Sequence, residues 1–417
     1  MKEGIEIMLE FYSRELKSFL GMFIEYIRNN HSEYSINSLL RINNHEQIMS
    51  AKTYRKLREG AYFKDEDLFD QLIYKLGYSK NKMSYAIKAF FDCSENISKA
   101  MQNFQIDEVL RNCNAFKIKT SDLNSNTFAL KELTQIIEMI ERVICEFGHL
   151  DMKDAALLED TYEIFRSTSV HEVINDLLFR YYAFTIMDTH RFEALETELK
   201  DSDFPSNQIY YTRLLCRKHQ YIEALTSLQM QMEHYYKSNN LNAYTYTLFE
   251  LIRLDKCFSF GDSDCYSKQL LLLLEGEMID KTTKANLYYE LAVLEFEYRD
   301  YKTALTYCEK SFALSGYRKL ECYILISYIY HFYLKKAFPY NLNEIDTDSL
   351  VGSFYNYYVK KNQNVDAAKL ERYLVGQIYP ILKTDTYLYK LFAYELYDIV
   401  RLTRNYKNLM LLKISLE

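Results

Sequence analysis

Apolar residues recur at helical spacing along almost the whole chain, and the pattern predicts one amphipathic helix after another. Residues 19–29 (FLGMFIEYIRN) form one, and residues 35–41 (SINSLLR) a short one with a hydroxyl at its start. Residues 50–60 form a basic helix. In residues 61–79, Leu68, Leu72, Ile73 and Leu76 repeat at helical spacing. Asp65, Glu66 and Asp67 open that helix at the positive end of its dipole, and Gly77 closes it. From about Lys82 onward amphipathic helices follow in pairs joined by short polar breaks, until residues 341–351 interrupt the pattern after Pro339. Helices expected over 367–381 and 387–403 are apolar on more than one face, and residues 408–416 are nearly all apolar. A terminal unit without a polar outer face implies burial against something else, and a homodimer is expected.

The chain is organised around the basic helix. Ser50 is a plausible N-cap, and Gly60 stands where a helix often ends in a left-handed residue. Lys52, Arg55, Lys56 and Arg58 bring four positive charges before the first acid, Glu59. Tyr54 and Leu57 share a face that would anchor the helix. Lys52, Arg55 and Lys56 share the opposite face, spaced to meet a phosphate backbone or the O6/N7 edge of guanine, with Ser50, Thr53 and Arg58 as further DNA-contacting candidates. An ordinary solvated helix face would show the same spacing. Four or five short helices in about 65 residues, the basic one third, is however the layout of a helix-turn-helix.

The run Tyr34-Ser35-Ile36-Asn37-Ser38-Leu39-Leu40, then Ser50, Thr53, Tyr54, Lys56, Leu57 and Gly60, then Leu68, Leu72, Leu76 and Gly77, resembles the lambda-repressor-like (Xre-type) DNA-binding domain. It is similar to the version at the head of the peptide-pheromone receptors of the Rgg, PlcR, NprR and PrgX group. The likeness covers roughly residues 16 to 80. It departs in an insertion near residues 44–47, in a missing turn glycine, and in an Arg58-Glu59-Gly60 ending. The resemblance implies a quorum-sensing regulator that binds an inverted-repeat operator as a homodimer and answers to a short linear oligopeptide.

Downstream, residues 285–316 carry Ala292, Ala304 and Ser311 where two antiparallel helices must approach closely, with Tyr288, Leu291 and Tyr301 around them and Gly316 at the exit turn. That order resembles the tetratricopeptide repeat (TPR), departing where Glu295 replaces the usual aromatic. His219 to Leu225 (HQYIEAL) parallels Arg299 to Leu305 (RDYKTAL) at an offset of 80 residues, and residues 190–195 give a fainter echo. Stacked units of this kind form a right-handed superhelix with a concave inner surface. The repeat's positions place Asn286, Tyr289, Val293 and Phe296 on that surface, with Arg213 as a polar candidate from an earlier copy. An amide can pair with both main-chain groups of an extended peptide, which singles out Asn286 and, less strongly, Asn175 and Asn242. Most of the 40 tyrosines are expected to be packing residues.

Composition narrows the classes. Three prolines and ten glycines in 417 residues are too few turn residues for a β-rich chain. The expected fold is therefore all-α: a helix-turn-helix domain over residues 1–82 and a TPR-like superhelix over 83–417, with 341–351 a connecting segment. The net charge of −7 divides unevenly, because residues 1–82 hold 13 Lys+Arg against 12 Asp+Glu, leaving −8 for the rest. A locally basic element on an acidic carrier suits duplex binding better than loose coating of RNA or membrane. Eight cysteines without a C-x-x-C pair point to reduced core thiols in a cytoplasmic protein. The longest uncharged apolar run, residues 322–334, is too short and too polar to cross a bilayer. No metal-ligand cluster, nucleotide loop or catalytic motif occurs, so no enzyme activity, metal or cofactor is expected. The alternative is a Rap-type interaction module that binds a protein partner and never reads DNA.

Overall fold

The computed structural model describes residues 14–31, 34–42, 46–59, 67–145, 152–162, 164–166, 168–183, 196–202, 204–258, 263–314, 319–347, 349–382 and 387–415. Among them helices account for nearly all regular structure, and there is no strand, only two isolated bridges. Contacts divide the chain into two compact units, Met1–Met101 with Glu108–Ile144 and His149–Leu178, and Gln102–Asp107 with Cys145–Gly148 and Phe179–Glu417.

The first unit contains α1 (Arg14–His31), α2 (Ile36–Leu39), α3 (Ala51–Arg58), α4 (Asp67–Lys75), α5 (Met83–Gln102), α6 (Ile106–Thr120), α7 (Leu130–Cys145), α8 (Met152–Tyr162) and most of α9 (Ser169–Ala183). Leu20, Phe23, Ile24 and Ile27 recur at three and four along α1 and are fully buried. They pack against α3 and α4. The division does not fall at residue 82. Phe19 lies 5.4 Å from Phe91 and 5.5 Å from Phe165, and Phe90 lies 6.1 Å from Phe116. This aromatic cluster makes one core of α1, α5, α6 and the turn after α8, so these later helices belong with the head. Below it, the Ser79 N–H donates to Asn126 C=O at 2.8 Å and the Phe128 N–H to Ser79 C=O at 2.9 Å.

Gly21 sets the spacing between α1 and α3. A Cβ there would stand 2.4 Å from the Leu57 carbonyl oxygen and 2.9 Å from Leu57 Cδ2. Backbone cannot yield as a flexible side chain can. Gly21→Ala is expected to lower unfolding stability by about 1–3 kcal/mol in urea denaturation, because overpacking outweighs the helix propensity alanine adds.

The second unit continues with α10 (Glu196–Lys200), α11 (Pro205–Arg217), α12 (Tyr221–Lys237), α13 (Leu241–Phe258), α14 (Ser263–Glu275), α15 (Lys281–Glu297), α16 (Tyr301–Leu314), α17 (Lys319–Ile329), α18 (Leu350–Asn362), α19 (Ala367–Tyr373) and α20 (Tyr387–Thr403). Most consecutive helices pair, with α15 and α16 the most extensive pair, and α11 also packs on α13 and α13 on α15. The two matching sequence segments adopt one turn. His219 and Arg299 are left-handed at φ 61° and 67°. Each donates its N–H three residues back, to Cys216 and Phe296, and the next residue donates five back, to Leu215 and Glu295, closing both helices in the same way. Ala224, Ala292, Ala304 and Ser311 are fully buried at the close approaches, and Ser311 Oγ donates to Ala285 C=O at 2.7 Å.

After α17 comes a π-helical turn, Tyr330–Leu334, and a second, Leu374–Ile378, follows α19. Every residue of α18 from Leu350 to Val359 is buried. The apolar C-terminus is covered in part within the chain: Tyr406–Ser415 forms a 3-10 helix against α20, and Leu409, Leu411 and Leu412 pack onto the core.

Candidate functional site

Helix α3 is capped and pinned as its sequence predicts. Ser50 is extended (φ −71°, ψ 152°), and its Oγ accepts the Thr53 N–H at 3.1 Å, satisfying one of the free donors of the first turn. Its hydroxyl also meets Thr53 Oγ1 at 2.8 Å. Tyr54 and Leu57 are buried against α1. The sequence did not reveal a second anchor, Glu25. Its carboxylate accepts Tyr54 OH at 2.7 Å, Arg28 Nε at 2.8 Å and Arg58 Nη1 at 3.4 Å. Burial alone would raise the Glu25 pKa, but the hydrogen bonds from Arg28 and Tyr54 and the charges of Arg28 and Arg58 hold it below the usual value. Burial and the Glu25 charge push the Tyr54 phenol well up.

The six DNA candidates therefore separate. Ser50 and Thr53 bond each other, and Arg58 turns back toward α1. Lys52, Arg55 and Lys56 remain exposed on one face. Arg55 pairs with the exposed Glu59, at 3.1 Å, a pair worth little in water. Lys52 and Lys56 make no ion pair among the described residues. Gly60, residues 44 and 45 of the insertion, and the echo at 190–195 lie outside the described residues.

The peptide candidates do not assemble on one wall. Asn286, Tyr289 and Phe296 are buried, which corrects their placement on an open concave surface. The Tyr289 hydroxyl bonds that of Tyr387, and Phe296 sits 5.4 Å from Tyr328 and 5.8 Å from Tyr301. Helices beyond α16 cover the face that the repeat positions would leave open. Asn242 uses both amide atoms on Asp280, donating to Oδ2 at 3.1 Å and accepting the N–H at 3.3 Å, and so ties α13 to the start of α15. Asn175 is half-buried on α9, in the first unit.

Arg213 lines an opening, a slot shared with Phe104, Tyr210, Tyr246, Phe249 and Glu290, whose free space of about 20 Å³ suits a single water-sized body. Beneath it lies Glu250, 1% exposed, missed in the sequence. Arg213 Nη2 donates to its Oε1 at 2.6 Å and Arg253 Nη2 to its Oε2 at 2.6 Å. Burial alone would raise the Glu250 pKa, yet the charges and hydrogen bonds of the two arginines bring it down to about 2. The signal available was one acid in the apolar run of α13 with an arginine three residues on.

Cys93, Cys113, Cys308 and Cys322 are buried and in no disulfide, whereas Cys257 and Cys265 are exposed. Among the described residues there is no cluster of metal-ligating side chains, and no helix is long and apolar enough to cross a membrane. Compared with known proteins, the chain matches no family model, no curated protein and no solved structure.

Proposed function

We propose that this chain is a transcriptional regulator: α3 reads an inverted-repeat DNA operator, two copies act as a homodimer, and the second unit receives a short linear peptide that alters operator binding. One observation carries the reading. On a helix capped by Ser50 and pinned through Tyr54 and Leu57, Lys52, Arg55 and Lys56 share one exposed face, while Arg58, also exposed, reaches back to Glu25. Their spacing suits phosphates along a groove, and duplex binding of this kind releases counterions. The acidic balance of the remainder fits a molecule that touches DNA through one element and avoids coating it.

Fluorescence anisotropy of the full chain on a duplex from upstream of its own gene, at two salt concentrations, tests this. Binding stronger than to random duplex, and falling steeply with salt, is expected. Equal affinity for both duplexes, with and without added peptide, sinks the reading.

A further inference from the structure

Residues 341–347, expected to be a mere connector, run without regular structure along α18 and are held there by an unusual set of bonds. The Asn356 side chain, 6% exposed, takes both main-chain groups of Ile345: Oδ1 accepts its N–H at 2.9 Å and Nδ2 donates to its C=O at 2.8 Å. That is how a neighbouring strand would bond one residue. Tyr355 OH donates to the Asn343 C=O at 3.1 Å, and Lys360 pairs with the Glu344 carboxylate. The segment's end rests on Gly352, where a Cβ would meet the Thr347 side chain at 2.3 Å. α18 thus reads two carbonyls, one N–H and one acid. Ile345 is 36% exposed, so the grip on it is through its backbone.

Beside the segment is a cavity of about 210 Å³. Its lining includes Phe338, Tyr340 and Leu342 together with His331, Lys361 and Asn362. Asn362 Oδ1 lies 2.6 Å from His331 Nε2, while the buried Asn362 Nδ2 has no hydrogen-bond partner among the described residues. Lys361 is held by Glu395 at 2.5 Å and stays as a fixed wall. An unused buried donor beside an unfilled space is a costly arrangement in the closed molecule. A ligand carrying one more carbonyl or a terminal carboxylate would complete it.

We propose that α18 carries a binding site for an extended acidic peptide, that residues 343–345 of the same chain occupy it in cis, and that a linear peptide supplied in trans displaces them and reaches into the cavity. This rests on the peptide-receptor half of the function proposed above and names its site. Few apolar contacts hold the exposed segment, so it opens at small cost relative to global unfolding. The chemistry selected is a backbone in extended form, an acid opposite Lys360, and an acceptor for Asn362.

The test uses a fluorescein-labelled peptide with the sequence of residues 340–346, which lacks Thr347, titrated with the full chain. In wild type the cis segment competes at high effective concentration. Gly352→Ala pushes Thr347 away and Ile345→Pro removes the N–H that Asn356 accepts, so each is expected to bind the peptide about tenfold more tightly. Adding Asn356→Ala to either is expected to return the affinity to wild type or below, and a scrambled peptide to bind weakly throughout. Equal binding of native and scrambled peptides, or no gain in either loosened variant with helical circular dichroism intact, overturns the proposal. Operator binding measured on the same preparations keeps this failure distinct from failure of the DNA-binding reading.

Discussion

Glu250→Ala is expected to lower unfolding stability by about 3–5 kcal/mol in urea denaturation at neutral pH, since removing one member of a buried ionic cluster strands the others. Glu250 is 1% exposed and both its oxygens are engaged, with Arg213 and Arg253 side chains about a quarter and a third exposed. Removing the carboxylate leaves two guanidiniums facing each other with no counter-charge. Replacing all three by leucine or methionine is expected to recover much of the loss, because the cluster itself carries a desolvation cost. The pH dependence has a defined sign. The Glu250 carboxyl is depressed from its ordinary 4.5 to about 2, so its contribution is complete above pH 4.5 and fades as pH falls toward 2. The stability gap between wild type and Glu250→Ala therefore narrows in acid, where the wild-type carboxylate becomes protonated. A gap unchanged between pH 7 and pH 2.5 would mean that packing, and not charge, sets the effect.

How much of this was legible depends on the distance over which each feature is written. The cap at Ser50, the buried Tyr54 and Leu57, and the exposed Lys52, Arg55 and Lys56 all follow from positions within one helix. The matching turns at His219 and Arg299 were visible as a repeated segment, because a turn is fixed by a few consecutive residues. Glu25 was not, since it meets Tyr54 across 29 residues and nothing local marks it. Glu250 and Arg213 meet across 37 residues. The apolar faces of residues 83–178 announced burial without saying against what, and only the contacts of Phe165 and Phe116 place those helices with the head. Tyr289 and Phe296 were misplaced for a related reason. Repeat positions describe an open stack, whereas Tyr387 and Tyr328 close over this one. Asn356 was hidden because its partner is a connector, and a connector's backbone carries no pattern.

The triple variant Lys52→Ala/Arg55→Ala/Lys56→Ala is expected to remove operator binding while leaving the fold intact. All three side chains face water and none reaches the anchoring carboxylate of Glu25, whose partners are Tyr54, Arg28 and Arg58. Alanine is the best helix former, so the change in unfolding stability should stay within about 0.5 kcal/mol. Each lost phosphate contact lowers the slope of log affinity against log salt by about 0.9, so three such contacts per protomer remove nearly 3. Any of the three that reads a guanine edge instead costs about 1–3 kcal/mol on the operator and spares random DNA. Single variants measured on both duplexes distinguish these roles. Arg58→Ala supplies the contrast: it takes one donor from Glu25 and should alter stability more than the salt slope. If the triple variant binds the operator as wild type does, α3 is an ordinary solvated helix, and the basic row on it has no part in recognition.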